Sequence, residues 1–390
     1  MMELPFIHFD CKLFEGDRPC KPNKEFGVFC SNCSYFEKDE AREDNFPEIK
    51  YIEYEPVSNA DILIIKLDAV GDVLRTTSIL PSLKKKYPES KIIWITKSKS
   101  FPVLRDNPYI SSIHVSEENL QYLYSRNFDL AINLDSGKES CSIMSSVQAR
   151  QKAGYTLINE LPFPVNEQAN EWYLMGVNDT VKKENQKTYH TIIHEICGLE
   201  NVNSCPILHI SEKNKQKAAA IKTVKGIGKF EDFVLINVGG GNRWQFKKWT
   251  KEGYAQLINR LSENKNRAIG VIGGMEEKNF YNDVLKMLND SENIIKLGYN
   301  NSTDDFINLI YLASKVFTSD SLALHIAAAL EKYVVVIVGP TSYTELDVFG
   351  KGEIIYSDKV DCLVCYLNKC DKVINCMNTI SAERILPLLS

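Results

Sequence analysis

Residues 61–88, DILIIKLDAVGDVLRTTSILPSLKKKYP, constrain the fold more than any other stretch of this chain. Ile62 to Leu67 is apolar but for Lys66, which predicts a buried strand. After the Asp68-Ala69-Val70-Gly71 turn the apolar spacing changes to threes and fours at Val73, Leu74, Thr77, Leu80 and Leu83, which predicts a helix. Asp72 falls at the junction. Its carboxylate either caps the helix at the positive end of its dipole, or acts as a base at the carboxyl edge of a strand, where open sheets bind ligands. Gly71, just before it, lets the backbone turn sharply and leaves room for a substrate.

The same alternation continues. Strands are expected at Lys91–Thr96, Ile110–Val115 and Asp129–Leu134, with helices at Phe101–Asn107, Glu117–Arg126 and Lys138–Arg150. Asp135 follows the fourth strand and therefore shares an edge with Asp72, as a ligand contact or as part of an ordinary loop. Tyr155–Lys187, with Pro162, Pro164, Trp172 and Tyr173, reads as an irregular binding loop or lid. A second series begins with a polar helix at Ser211–Val224. Its strands are expected at Phe233–Val238, Ala268–Ile272, Asn293–Lys296, Lys315–Thr318 and Val334–Val338, with helices at Lys251–Ser262, Glu276–Leu288, Thr303–Ala313 and Ser321–Leu330. At 390 residues the chain exceeds one ordinary core. The expected organisation is a cysteine-rich module at 1–40, a linker at 41–60 with a short strand at Ile49–Tyr54, two Rossmann-like domains at 61–206 and 207–378, and a terminal helix at 379–390.

Four cysteines, Cys11, Cys20, Cys30 and Cys33, lie in a head with too little apolar mass for its own core. Four more, Cys362, Cys365, Cys370 and Cys376, are spaced C-x2-C-x4-C-x5-C. Either quartet suits a structural zinc or iron site, the other reading being plain thiols. No segment approaches the roughly 18 apolar residues of a membrane span, and the N-terminus lacks a basic region followed by an apolar one. A soluble, cytoplasmic protein is expected, with at most peripheral membrane contact. A reducing compartment favours free thiols or metal ligands over disulfides for the 11 cysteines. The net charge of −5 argues against nucleic acid as a partner.

Two stretches of the second half carry chemistry. In VGGGNRWQFKKW (238–249) a strand enters a glycine triplet, whose N–H groups can approach phosphate oxygens while Arg243, Lys247 or Lys248 neutralises them; a plain turn is the other reading. In TSDSLALH (318–325) Ser319 or Asp320 is expected to cap a helix whose free N–H groups can hold an anion, with His325 one turn on. Gly339-Pro340-Thr341 follows the next strand on the same edge, closing a site or merely turning.

Together with the C-terminal cysteines, the motifs IIKLDAVGDVLRTT, GGGNRWQFKKW, TSDSLALHIAAAL and VVVIVGPTS resemble glycosyltransferase family 9, the heptosyltransferases, over roughly residues 61–390. The resemblance implies a GT-B architecture, with two Rossmann-like domains facing a cleft and a nucleotide-heptose donor bound mostly by the second. It implies heptose transfer from ADP-heptose, with inversion and without a catalytic metal, to a glycan such as the lipopolysaccharide core or to a protein hydroxyl. Asp72 then matches the general base, with Asp68 as a weaker alternative, and Gly71, Arg75 and Asp135 stand on the acceptor side. Lys247 matches the donor-phosphate lysine two residues before a tryptophan, and Asn242 and Arg243 sit where relatives place small hydroxyl residues beside the phosphates. Asp320, Ser321 and His325 match a D-[ST]-G-x-x-H donor element, and Gly339 and Thr341 complete that side. Leu322 replaces the glycine of that element, which opens the reading to another nucleotide sugar. Some protein-heptosylating members hold iron in a C-terminal cysteine finger, and a homo-oligomer is left open. A non-catalytic nucleotide-sugar scaffold is the contrasting reading, which the pairing of Asp72 with Lys247 disfavours.

Overall fold

The computed structural model describes residues 6–42, 46–67, 69–202, 204–241, 245–367 and 370–390. The chain divides into two compact units, Met1–Ser204 and Cys205–Ser390. Each is built on one six-stranded sheet.

In the first unit β1 (Asp61–Ile65), β2 (Lys91–Thr96), β3 (Ser112–Val115), β4 (Asn127–Asn133), β5 (Gln148–Ile158) and β6 (Leu161–Pro164) stand in the order β3-β2-β1-β4-β5-β6. All pairs are parallel except β5 with β6. Ile62, Leu63, Ile64 and Ile65 are fully buried, as an apolar run between two helical layers requires. In the second unit β7 (Asp232–Asn237), β8 (Arg267–Ile272), β9 (Ile294–Gly298), β10 (Lys315–Ser319), β11 (Tyr333–Val338) and β12 (Gly352–Tyr356) form an all-parallel sheet in the order β12-β11-β10-β7-β8-β9. Both are doubly wound orders. The winding reverses between β1 and β4 and between β7 and β10, and ligands of such sheets gather just beyond the carboxyl ends of those strands. Two parallel-sheet α/β units are what the GT-B resemblance implies.

Several sequence expectations need correction. The supposed lid at 155–187 is regular. β5 turns through Asn159 and Glu160, at φ 48° and 63°, into β6, and the helices Glu167–Val177 and Asp179–Glu184 follow. Two residues of positive φ make the tight turn a hairpin wants, and Pro162 and Pro164 are tolerated because β6 is an edge strand. The helix expected over Lys138–Arg150 ends at Ser146, where Val147 turns extended and leads into β5. No strand forms at 49–54; Tyr54 is nonetheless buried, its hydroxyl donating to the Lys152 carbonyl at 3.0 Å. β12 was not anticipated.

The cysteine-rich head also has an apolar anchor that its sequence does not show. Phe9 stacks on Phe46 at 4.4 Å, both rings lie against Phe163 of β6, and Lys24 pairs with Asp179 at 2.8 Å. The head borrows the hairpin as its core partner. Among the described residues no helix is long and apolar enough to cross a membrane.

His190 and His194 share a buried corner of the first unit. The His190 ring meets Ser78 at 3.0 Å and Asn201 at 2.7 Å, and the His194 Nδ1 donates to the His190 carbonyl at 2.8 Å. Burial pulls His194 down to about 4, the His190 carbonyl opposing it only in part. A neutral buried histidine must take up a proton on unfolding, so the unfolded chain gains it from about pH 6.5 downward while the fold resists until about pH 4. Denaturant titrations at pH 7 and pH 4.5 should therefore show wild type losing part of its stability advantage over His194→Leu as pH falls; a constant difference contradicts the burial argument.

Candidate functional site

At the carboxyl edge of the first sheet, β1 and β4 each deliver a charge. Lys66, immediately after β1, is buried and forms an ion pair with Asp135, just after β4. The Lys66 ammonium also donates to the Leu134 carbonyl at 2.9 Å, and the Leu67 N–H donates to the other Asp135 oxygen at 2.5 Å. Burial by itself would lower the Lys66 pKa; Asp135, Tyr189 and Asp72 outweigh it and raise it. The lysine is therefore a fixed cation at the point where the sheet reverses.

Asp72 lies in the first turn of the helix Val70–Thr76, whose N-cap is Ala69, and not at the cap itself. Its carboxylate pairs with Arg75 at 2.9 Å, and its side chain is 38% exposed, enough for an incoming group to reach it. The Arg75 guanidinium lies 3.6 Å from the centre of the Tyr189 ring, a stacking that sets its direction. Tyr189 is held in turn at its hydroxyl, 2.8 Å from Thr76, which donates to the Asp72 carbonyl at 2.7 Å. Asp72 is thus an oriented carboxylate beside two cations, chemically able to accept a proton from a bound hydroxyl. Gly71 sits on the same helical turn. Asp68 lies outside the described residues.

In the second unit the loops after β7 and β10 are stitched together. Asn237 donates to Thr318 at 3.0 Å and to Ser321 at 3.1 Å, and Ser319 donates to the Gly239 carbonyl at 3.1 Å. The cap of the helix Leu322–Ala329 is Ser321, whose hydroxyl accepts from the Ala323 N–H, rather than Ser319 or Asp320. Asp320 instead faces Lys247 at 2.6 Å and accepts from the Thr341 hydroxyl at 2.9 Å. Burial pushes its carboxyl up, but Lys247, with His325 and Thr341, holds it down to about 2. Lys247 owes its place to Trp249, which is buried and donates through its indole N–H to the Ile380 carbonyl at 3.0 Å. Asn242 and Arg243 lie outside the described residues.

A cavity of about 420 Å³ opens beside these loops, lined by Gly239–Gly241, Gly274, Glu277, Tyr299, Phe306, Ser321 and Leu322 among others. Lys247, Asp320, His325, Gly339 and Thr341 are not among its lining residues. Gly241, at φ 75°, turns its N–H onto the buried Glu277 carboxylate at 3.0 Å, and Lys248 approaches the same oxygen at 3.5 Å. The structure therefore brings Lys247, Asp320, His325 and Thr341 into one charged cluster and places the glycine loop and Leu322 on the adjoining cavity.

Sequence reasoning missed three residues. Lys66 was legible as the one charge in an apolar strand. Glu277 was marked only by the Gly273-Gly274 turn before it, and Tyr189 had no signal. As for metal, no three His, Cys, Asp or Glu side chains are grouped as ligands among the described residues. The thiols of each quartet are nonetheless within electrostatic reach of one another. Burial, followed by the neighbouring Cys365, Cys362 and Cys370, raises Cys376 to about 11, and burial with Cys20, Cys33 and Cys11 nearby raises Cys30.

The Lys66 pair allows a direct check. Lys66→Met takes the buried cation from Asp135, whose side chain is only 15% exposed, and should cost about 3–5 kcal/mol by chemical denaturation, most of it regained in Lys66→Met/Asp135→Leu. A loss below about 1 kcal/mol, within the range of an exposed pair, would show that the pair is not buried in solution.

The glycosyltransferase family 9 (heptosyltransferase) model matches residues 119–373. Lipopolysaccharide heptosyltransferase 1 of Campylobacter coli is 22% identical over 343 residues, which cover 84% of this chain and 97% of that protein. Two solved structures share the fold. ADP-heptose LPS heptosyltransferase II of E. coli superposes with a TM-score of 0.60 at 18% identity, covering 84% of this chain and 97% of that one. The dodecameric iron-containing heptosyltransferase TibC, in complex with ADP-D-beta-D-heptose, gives 0.52 at 11% identity over 85% of this chain and 76% of its own. With the family's model matching well over half its length, the chain belongs to glycosyltransferase family 9 and is a transferase.

Proposed function

We propose that the protein transfers heptose from ADP-heptose to a hydroxyl of a glycan acceptor of the lipopolysaccharide-core type, inverting the anomeric carbon. The observation that carries this reading is the charged cluster of Lys247, Asp320, Thr341 and His325 at the reversal of the second sheet, beside a cavity of nucleoside size. The heptosyltransferase names of the relatives and the ADP-heptose bound in one neighbour supply the sugar and the nucleotide.

The donor's nucleoside takes the cavity, and its diphosphate meets Lys247 and the first N–H groups of the helix Leu322–Ala329. The acceptor oxygen attacks the anomeric carbon as the bond from that carbon to the diphosphate breaks. Asp72 takes the proton the hydroxyl loses, and ADP leaves with its new charge met by Lys247 and His325, which stand in for a catalytic metal. A single displacement of this kind inverts the centre. Leu322 stands where the family's donor element has glycine, so another nucleotide sugar is the alternative donor, and a protein hydroxyl is the alternative acceptor.

The test is ADP release and equilibrium binding with a panel of ADP- and UDP-sugars, comparing wild type, Asp72→Ala and Lys247→Ala. ADP-heptose should bind best. Asp72→Ala should keep that affinity while turnover falls about 10²- to 10⁴-fold, and Lys247→Ala should weaken binding itself. Equal affinity for every nucleotide sugar would overturn the reading.

The cysteine quartets fit a structural zinc or iron by donor type, since four thiolates fill a tetrahedral shell and leave no open position for chemistry. In the C-terminal set Val364 and Tyr366 hold φ of 57° and 51°, a backbone that a β-branched residue keeps only when its surroundings enforce it. Metal analysis of the purified protein should find zinc or iron, and chelation should lower its melting temperature; a metal-free protein whose melting chelator leaves unchanged refutes the assignment.

A further inference from the structure

The C-terminal cysteine loop reaches the donor side of the second unit through one residue. Tyr366, next to Cys365, is buried at φ 51°, and its N–H donates to the Pro340 carbonyl at 2.9 Å. Its hydroxyl accepts from the Ser342 N–H at 3.1 Å and donates to Glu345 at 3.3 Å. Both ends of the tyrosine thus grip the turn that follows β11. Thr341, between Pro340 and Ser342, donates to Asp320, and Asp320 holds Lys247. The loop closes on the turn from a second direction. A Cβ on Gly339 would stand 2.5 Å from the Met377 sulfur and 2.9 Å from that of Cys376, so any larger residue would push the loop's side chains off the turn.

We infer that Tyr366 is a positioning residue for the donor diphosphate: it fixes the Pro340–Ser342 turn, and through Thr341 and Asp320 the direction of Lys247, so that the cysteine loop is the rear support of the phosphate site. Tyr366 acts on the phosphate site through that chain of contacts. The order of events follows from the connectivity. Losing the hydroxyl frees the Ser342 N–H, the turn loosens, Thr341 drifts from the carboxylate, and Lys247 samples directions away from the phosphates. The consequence is weaker donor binding, with the chemistry on bound donor little changed, because the base belongs to other residues.

This inference rests on the reading of the second unit as the donor unit, and the experiment separates the two. ADP affinity, donor KM and kcat are measured on the full chain for wild type, Tyr366→Phe, Glu345→Gln and Lys247→Ala, with thermal unfolding recorded for each. One lost hydrogen bond of ordinary strength corresponds to about a three- to tenfold change. Tyr366→Phe should raise the ADP Kd and the donor KM by that factor with kcat within about twofold. Glu345→Gln, which leaves the Ser342 contact in place, should move both by less. Thr341→Val breaks the same chain one step nearer the carboxylate and should repeat the KM rise if Tyr366→Phe does not fold. Unchanged ADP affinity in Tyr366→Phe, or in Thr341→Val in its place, with affinity lost in Lys247→Ala, overturns the inference and leaves the function standing. A fall in kcat at constant KM also overturns it. If wild type itself does not bind ADP, the donor reading falls and the inference with it.

Discussion

In the function we propose, the second unit's chemistry depends on the ion pair between Lys247 and Asp320. A carboxylate held near pKa 2 stays charged at every working pH, so Asp320 holds the Lys247 ammonium in one direction across that range. The pair is only about 15% exposed on each side, so its field is weakly screened and its geometry matters. Trp249 anchors the lysine end in the core, while Thr341 and the turn after β11 anchor the aspartate end. A phosphate arriving there competes for a cation whose position is already fixed, and little ordering remains to oppose binding.

The first unit solves a similar problem with the same topology. Lys66 leaves β1 and Asp135 leaves β4, the two strands between which the sheet reverses, just as Lys247 follows β7 and Asp320 follows β10. In the first unit the lysine is buried and its partner exhausts it, so it acts as a fixed background charge, and the exposed group is the nearby carboxylate of Asp72. In the second unit the lysine is 16% exposed against 5% for Lys66, so its ammonium is the more accessible of the two. One doubly wound frame thus presents an anion in one copy and a cation in the other, which is what the proposed proton acceptor and phosphate holder would respectively need.

Nine of the twelve strands were legible, most of them because a buried parallel strand reads as a continuous apolar run; β12, with only one buried residue, gave no such signal. β5 escaped because Gln148, Arg150, Gln151 and Lys152 make its first half read as the polar tail of a helix. The hairpin to β6 escaped because Asn159-Glu160 lacks the glycine that usually marks a tight turn. The site was legible where a motif lies within one loop, as at Asp72 or Lys247. It was not legible where the partner comes from a distant element: Tyr189 is more than a hundred residues from the Arg75 it orients, and nothing local distinguishes it from an ordinary core tyrosine. The anchor of the cysteine-rich head was hidden for the opposite reason. Its own sequence lacks a core, and the missing apolar surface is Phe163 on another element.

The most direct measurement of the central claim, that a nucleoside diphosphate is held at the carboxyl edge of β7 and β10, is amide hydrogen exchange on the full chain with and without ADP. The account predicts slowed exchange confined to residues 239–241, 320–325 and 339–342, with the first unit unchanged. Protection elsewhere, or none at saturating ADP, would contradict it.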